Sequence, residues 1–224
     1  QIIEEFGYYN LMPYDEEVKD LLIKAIDEAR IWNFNGPEPE LFSKTEAALT
    51  NSQIAAVQKC IKLSGLDKNK IGAIGFHGQT VLHKPPSKSS KGKTRQLGDG
   101  QKMANKLGIP VVYDFRTKDI KEGGQGAPLC PIYHSALLKK IGAAPTTAIL
   151  NLGGLGNLSC YSEKYGLIAF DTGPANAPIN DWVKSFNIGQ MDLDGEIAAR
   201  GKVDKNKLAA ILNDPYFKVS FPKS

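Results

Sequence analysis

Several features are scarce or missing in this chain, and each absence excludes a class of protein. The 224 residues include three cysteines, Cys60, Cys130 and Cys160. Because they lie far apart, they fit neither a disulfide framework nor a zinc site, and they indicate a reducing cytoplasm. No apolar run approaches the roughly 18 residues of a membrane span, and no signal peptide is visible, so we expect no membrane association.

Charge and nucleotide motifs are limited as well. The net charge is only +4, and the lysines are scattered apart from the segment 84–93, which argues against a nucleic-acid-binding surface. The loop Gly123–Gly126 is rich in glycine. It is not a Walker loop, because no Gly-Lys-Ser or Gly-Lys-Thr sequence follows, and it is not a dinucleotide fingerprint either. By itself this loop indicates a flexible connector or a hinge.

The spacing of apolar residues predicts alternating helices and strands. Helices are predicted at 15–31, 39–64, 101–107, 133–140, 180–186, 195–200 and 204–212, and strands at 71–76, 110–113, 147–152 and 167–170. A Ser-, Lys- and Pro-containing stretch over 85–94 predicts a solvated, mobile loop. The alternation favours an α/β fold with a largely parallel or mixed sheet. A shift in composition near 118–126 is the best candidate boundary between two lobes.

The stretch 149–181 has the features of an α/β active site. Asn151–Asn157 has the form of strand, glycine turn and strand. Backbone N–H groups in such a hairpin can hold a phosphate, although a plain hairpin turn explains the pattern equally well. Asp171 follows an apolar strand, where a carboxylate can act as a general base. Alternatively, Asp171 caps the following turn or helix.

Two further motifs follow predicted strands. His77 comes directly after the strand 71–76, where it either binds a polar ligand or is satisfied by the backbone of a turn. Asp114 and Arg116 occupy alternate positions, so both side chains point to one face if the strand continues. They form either a local ion pair or an arginine fork for a carboxylate or phosphate.

Six motifs occur together in a fixed order, and none of them is specific alone. They are FHGQTV at 76–81, QLGD at 96–99, VYDFR at 112–116, GGQGAP at 123–128, LNLGGLGNLS at 150–159 and FDTGP at 170–174. As a set, they resemble the anhydro-N-acetylmuramic acid kinases of bacterial cell-wall recycling. The likeness runs from about Ile71 to the end, including Asp214–Phe217 and the closing Pro-Lys-Ser.

The resemblance implies a fold, a reaction and a site. The fold is the ribonuclease-H-like, two-lobed α/β fold of sugar kinases, Hsp70 and actin, here incomplete, with one partial lobe at 1–122 and another at 123–224. The reaction uses ATP, Mg²⁺ and water to open 1,6-anhydro-N-acetylmuramic acid and phosphorylate O6. Asp171 matches the general base. The phosphate hairpin corresponds to Asn151, Gly153, Gly154 and Asn157, and the sugar side to His77, Gln79, Asp114, Arg116 and Gln125. A cytoplasmic homodimer is also implied.

The chain also departs from the family pattern. The family's first phosphate loop and its late sugar- and adenosine-binding segments have no counterpart here. We therefore expect weak ATP binding and weak or no catalysis by the 224-residue form. Two other functions stay open: a non-catalytic fragment that binds the sugar alone, and a chaperone-like or actin-like member of the superfamily.

Overall fold

The computed structural model describes residues 2–87 and 90–219. Lys88 and Ser89 of the predicted loop 85–94, and the closing Pro-Lys-Ser, lie outside the described residues. The chain divides into two compact units, Glu5–Ala127 and Pro128–Ser224 together with Gln1–Glu4. The sequence-based division at 122/123 stays a prediction. Across the described residues, no helix is long and apolar enough to cross a membrane.

The helices of the unit 5–127 begin and end at the signals that the sequence carries. They are α1 (Glu16–Trp32), α2 (Glu40–Ser64), α3 (Gly100–Leu107) and α4 (Phe115–Lys121), with a 3₁₀ turn at Lys68–Lys70. Asp15 caps α1 by accepting a hydrogen bond from the Val18 N–H at 2.8 Å. Gly65 ends α2 in the left-handed conformation, with φ of 68°. The predictions for α1, α2 and α3 are confirmed within one residue at each end.

The strands of this unit differ more from the prediction. β1 (Ile74–Phe76) is shorter than the predicted strand 71–76 and pairs in parallel with β4 (Val111–Tyr113). In the sequence between β1 and β4, the strands β2 (Gln79–Lys84) and β3 (Lys93–Leu97) form a separate antiparallel hairpin that the sequence analysis did not predict.

Two apolar clusters hold the unit 5–127 together. In the first, α1 and α2 pack over the hairpin β2–β3, with Phe42, Leu49, Val81 and Leu97 among the buried side chains. In the second, α2 and α3 cover β1 through Ile54, Phe76, Met103, Leu107 and Ile109. Together these clusters fix the ends of β1 and β3, where the motifs HGQ and LGD begin.

The unit 128–224 contains a three-stranded antiparallel sheet. Its strands are β5 (Ala148–Leu152), β6 (Leu155–Ser162) and β7 (Gly166–Pro174), and its helices are α5 (Pro131–Lys140), α6 (Asn176–Ser185), α7 (Glu196–Arg200), α8 (Lys205–Leu212) and α9 (Pro215–Lys218). A 3₁₀ turn lies at Leu193–Gly195. Over residues 2–87 and 90–219 the fold is thus mixed α/β, with three small sheets and no single large parallel sheet.

Candidate active site

A cavity of about 310 Å³ lies in the unit 5–127, between the carboxyl ends of β1, β3 and β4. Its lining includes Phe76, His77, Gly78, Gly98, Asp99, Tyr113, Asp114 and Thr117. Two of the predicted sugar-binding residues, His77 and Asp114, therefore line one cavity. Ligands usually bind at such strand ends in α/β proteins.

His77 and Arg116, two of the residues predicted for the sugar side, are in contact with each other. The Nη2 of Arg116 lies 3.1 Å from the Nε2 of His77, and the Nδ1 of His77 lies 2.8 Å from the Gly78 carbonyl oxygen. A carbonyl can only accept and a guanidinium can only donate, so these partners assign the proton to Nδ1 and leave Nε2 as the acceptor. The turn backbone thus satisfies one ring nitrogen of His77, and its binding of a polar ligand stays a prediction.

Arg116 also fixes the glycine-rich loop. Its Nη1 donates to the Gly126 carbonyl oxygen at 2.7 Å, and Asp119 accepts from the Gly126 N–H at 2.7 Å. Two side chains of α4 therefore hold the loop through the backbone N–H and carbonyl groups of Gly126.

Asp114 and Arg116 do not share one strand face. The strand β4 ends at Tyr113, Asp114 adopts a left-handed conformation with φ of 53°, and α4 begins at the next residue. The prediction of two alternating side chains on a continuing strand is wrong, because the chain turns at Asp114. The Asp114 carboxylate instead accepts from the Thr117 hydroxyl at 2.6 Å.

Gln79 and Gln125 are less closely associated with the cavity. Gln79 is half-buried at the start of β2, and its Nε2 donates to the neighbouring Thr80 carbonyl oxygen at 3.1 Å. The Gln125 side chain is exposed, while its backbone hydrogen-bonds His83. Neither residue lines the cavity beside His77.

Two glycines allow the turn after β1 and the loop after β3 to touch. Gly78 has φ of +67°, and a Cβ there would collide with the Leu97 carbonyl oxygen. Gly98 has φ of +148°, and its Cβ would lie 2.9 Å from the Phe76 ring. Only glycine combines this conformation with this approach, so the motifs HGQ and LGD are in direct contact at the cavity.

In the unit 128–224, the predicted nucleotide and catalytic residues form one row across the sheet. Asn151 of β5 pairs with Asn157 of β6, and Asn157 pairs with Asp171 of β7. Directly paired residues in antiparallel strands point to the same face, with Cβ atoms about 5 Å apart. A bulge beside Asn157 leaves Thr172 without a partner across the ladder. The sheet thus places one carboxylate and two amides side by side.

The glycine turn between β5 and β6 contacts the start of α6. The Gly153 carbonyl oxygen accepts from the Asn176 N–H at 2.9 Å, and the Gly154 carbonyl oxygen accepts from the Ala175 and Ala177 N–H groups at 3.0 and 3.2 Å. The carbonyl groups of the turn therefore cap α6 in place of a side chain. Phosphate binding by the remaining N–H groups of the turn stays a prediction.

Asp171 lies within β7, three residues before its end, so its prediction as the first residue after a strand is wrong. The alternative that Asp171 caps α6 is also wrong, since the capping residue is Ala175. The half-buried Asp171 lines a mostly apolar cavity of about 730 Å³ with Tyr216 and Phe217. The Tyr216 hydroxyl donates to the Asp171 carbonyl oxygen at 3.3 Å, and burial, followed by the Asp171 charge, raises the pKa of that hydroxyl.

Sequence reasoning missed a polar cluster in the wall of the first cavity, where Glu46 and Arg95 both belong to the lining. Arg95 forms a double hydrogen bond with the Glu38 carboxylate at 2.8 and 3.0 Å, and its Nη1 donates to Glu46 at 3.2 Å. Burial alone would lower the pKa of the Arg95 guanidinium, but the two carboxylates outweigh burial and raise it. The available signal was a pair of polar residues, Glu46 and Thr50, four positions apart within an otherwise apolar helix face.

The side chains of the described residues suit a metal ion that arrives bound to a phosphorylated ligand better than a metal ion held by protein side chains alone. Among the described residues, no group of three or more His, Cys, Asp or Glu side chains is placed to hold an ion. Mg²⁺ in phosphoryl-transfer sites is held by one or two carboxylates plus substrate phosphates.

Comparisons with known proteins agree on one family. The sequence model of the anhydro-N-acetylmuramic acid kinase family, AnmK, matches residues 9–224. Anhydro-N-acetylmuramic acid kinases are similar to the chain at 54% identity in Brucella anthropi, 51% in Rhizobium rhizogenes and 40% in Caulobacter vibrioides. The matches cover 99–100% of this chain and 60% of each relative.

The match over almost the whole chain and the identity above one half are sufficient to assign a family. The chain spans about 60% of the length of these curated relatives. The fold that the family implies, that of sugar kinases, Hsp70 and actin, agrees with the mixed α/β architecture described above. The chain belongs to the anhydro-N-acetylmuramic acid kinase family.

Proposed function

We propose that the chain contributes to an ATP-dependent phosphotransferase that opens 1,6-anhydro-N-acetylmuramic acid with water. The product is N-acetylmuramic acid 6-phosphate, formed in the cytoplasmic part of peptidoglycan recycling. The observation that carries the proposal is the row of Asn151, Asn157 and Asp171 in a chain of this family. That row combines a general base with polar groups able to bind a phosphorylated ligand.

In this proposal Asp171 takes a proton from the water that attacks C1 of the sugar. Water adds to C1 as the bond between C1 and O6 breaks, and O6 bonds to the γ-phosphorus of ATP while the bond to the departing ADP breaks. A half-buried carboxylate beside an apolar cavity suits this role, because limited access to solvent keeps the base and water aligned. ATP supplies the phosphoryl group, and Mg²⁺ neutralises its charge.

The sugar side of the reaction is assigned to the residues around the cavity of the unit 5–127. Arg116, held by His77 and Gly126, supplies positive charge for the lactyl carboxylate of the sugar. Asp114 and His77 line the cavity and can bind hydroxyl groups. Gln79 and Gln125 are retained as weaker candidates. On the nucleotide side, the turn at Gly153 and Gly154 is proposed to contact phosphate, with the Gly154 N–H as donor because the Gly153 N–H donates to the Leu155 carbonyl oxygen at 3.2 Å. The working enzyme is proposed to be a homodimer.

Product formation tests the catalytic role of Asp171. The 224-residue chain is incubated at high concentration with the sugar and Mg-ATP, and the 6-phosphate is measured by mass spectrometry. Asp171→Asn should lower the rate at least about 10²-fold, the usual contribution of a general base. Asp181→Asn, the same change at an exposed carboxylate on α6, should leave it unaltered. Equal rates in both variants contradict the assignment, whereas no product from the unchanged chain would favour sugar binding without catalysis.

A second function, sugar binding without catalysis, is favoured by one observation. The cavity, His77 and Arg116 all belong to one compact unit, 5–127. Calorimetric titration with 1,6-anhydro-N-acetylmuramic acid, followed by Mg-ATP, separates the two functions. Sugar binding that Arg116→Ala abolishes, without any product or ATP binding, supports this second function. Binding of neither ligand contradicts both.

A further inference from the structure

Two side chains of α2 hold the backbone of the loop that follows β3. The Glu46 Oε1 accepts a hydrogen bond from the Gly98 N–H at 2.9 Å, and the Thr50 Oγ1 accepts from the Asp99 N–H at 3.0 Å. Glu46 and Thr50 are one helical turn apart and so lie on the same side of α2. Consecutive amides of the loop are thus bound by consecutive turns of one helix.

Both acceptors are themselves fixed in place. The Thr50 side chain is fully buried, and its hydroxyl donates to the Glu46 carbonyl oxygen at 2.6 Å. Glu46 also accepts from the Nη1 of Arg95, and its side chain is only 26% exposed. A half-buried acceptor that is held on two sides has little freedom to follow a moving loop. The geometry of the helix therefore determines the position of Gly98 and Asp99.

The loop in turn forms a wall of the cavity. Leu97, Gly98 and Asp99 line it, and the close contact of Leu97 and Gly98 with Gly78 continues to the turn that carries His77. A displacement of the Gly98 amide would move this contact and change the distance between the loop and the His77 ring. From the loop onward, the path to His77 runs through backbone atoms, which cannot adjust by a change of rotamer.

We propose that Glu46 and Thr50 are positioning residues that set the shape of the sugar-binding cavity through the backbone of Gly98 and Asp99. The inference rests on the proposed function, since it assigns the ligand of this cavity as the anhydro sugar. Neither residue belongs to the motifs that carry the predicted sugar-side residues. Glu46 also lines the cavity, whereas Thr50 does not, so an effect of Thr50 on the sugar runs through the loop alone.

The chain provides a matched control on the same helix. Thr45 is fully buried like Thr50, but its hydroxyl donates to the Leu41 carbonyl oxygen of its own helix at 2.8 Å. Thr45→Val and Thr50→Val therefore remove the same hydroxyl group at the same burial, and only the second removes a bond to the loop. Any loss of helix stability should be similar in the two variants, whereas a positioning effect should appear in one.

The first experiment measures sugar affinity by calorimetry on the 224-residue chain, together with the thermal midpoint of each variant. Thr50→Val should weaken binding of 1,6-anhydro-N-acetylmuramic acid about tenfold, as expected for a desolvated N–H without an acceptor. Thr50→Ser, which keeps the hydroxyl, should restore most of the affinity, and Thr45→Val should leave it unchanged. Equal affinities in Thr50→Val and Thr45→Val overturn the proposal.

Glu46 is tested by a pair of substitutions. Glu46→Gln keeps a side-chain oxygen for the Gly98 N–H, whereas Glu46→Ala removes it. We expect Glu46→Gln to retain most of the sugar affinity and Glu46→Ala to lose about tenfold or more. Because Glu46 also lines the cavity, its hold on the loop is measured without ligand: exchange of the Gly98 amide should be faster in Glu46→Ala than in Glu46→Gln. Equal exchange in the two variants would contradict the positioning role of Glu46.

A measurement without any ligand keeps this inference distinct from the proposed function. Hydrogen exchange of the Asp99 amide should become faster in Thr50→Val than in Thr45→Val, because only the former loses the acceptor. Failure of the unchanged chain to bind the sugar would contradict the proposed function. Unchanged exchange at Asp99 would contradict the attachment of the loop by α2.

Discussion

His83 lies on β2, within reach of the positive charge of Arg116. Burial and then the Arg116 charge lower the pKa of the His83 imidazole, and a hydrogen bond with the Gln125 backbone opposes them only in part. The Nδ1 of His83 also lies 3.2 Å from the Thr94 hydroxyl. The folded chain thus favours the neutral imidazole more than the unfolded chain does. Protonation of His83 therefore lowers the stability of the unit 5–127, which carries the predicted sugar-side residues.

The first prediction follows from this linkage. Because the folded pKa of His83 lies below its ordinary value of 6.5, its contribution to stability is fully present above pH 6.5 and is lost as the pH falls through the folded pKa. His83→Gln should therefore reduce the loss of unfolding free energy between pH 7.5 and pH 5. Urea unfolding, followed by Trp32 fluorescence in a Trp182→Phe background, measures it. The same pH dependence with and without His83 would refute the linkage.

The helices α1, α2 and α3 were predictable because their signals are local, whereas α4 and α9 were not predicted. Asp15 at the start of α1 and Gly65 at the end of α2 mark boundaries that the backbone uses directly. The 3.6-residue period of apolar residues supplies the rest. Neither signal requires knowledge of a distant partner, so the sequence is sufficient for these elements.

Strands and their ends were harder to predict, because pairing with a neighbouring strand determines where a strand begins and ends. The hairpin β2–β3 joins half-buried polar segments, QTVLHK and KTRQL, whose alternation is weak. β7 continues through Asp171 because Asn157 of β6 pairs with it there, across a bulge that no residue pattern announces. The identity of the candidate residues was readable from motifs, but their arrangement in a row depends on this register. The bonds of Glu46 and Thr50 to the loop are likewise set by tertiary packing.

The contact between the turn after β1 and the loop after β3 yields the second prediction of the Discussion. Gly78→Ala should destabilise the chain by more than about 2 kcal/mol, because it combines a left-handed backbone with a collision at the Leu97 carbonyl oxygen. Gly65→Ala is the control. Gly65 has nearly the same φ of +68° and open space around its Cβ position, so only the backbone cost of about 1 kcal/mol applies. Equal losses in denaturant unfolding would show that the approach of Leu97 is unimportant.

At the scale of the whole molecule, the two units differ strongly in buried apolar surface. Among the described residues, all buried apolar side chains except Ala136 and Val183 belong to the unit 5–127. The helices α7, α8 and α9 contain no buried residue, and Trp182, Phe186 and Ile211 are among the large exposed apolar side chains. Burial of apolar surface is the dominant favourable term in folding, so stability should be distributed unevenly along the chain.

Hydrogen exchange followed by mass spectrometry should reveal this distribution. Peptides from α1 and α2 should exchange at least about tenfold more slowly than peptides from β5, β6 and β7, because strand hydrogen bonds with little apolar cover open at lower free energy. Within the second unit, the segment around α5 provides an internal control. Ala136 is buried there and His134 binds the buried Ser159 at 2.9 Å, so its amides should be slower than those of α8. Uniform protection of both units would mean that apolar burial does not set local stability in this chain. Slow exchange restricted to 5–127 would instead identify the unit with the His77–Arg116 pair as the more rigid one, consistent with a ligand site that is formed before its ligand arrives.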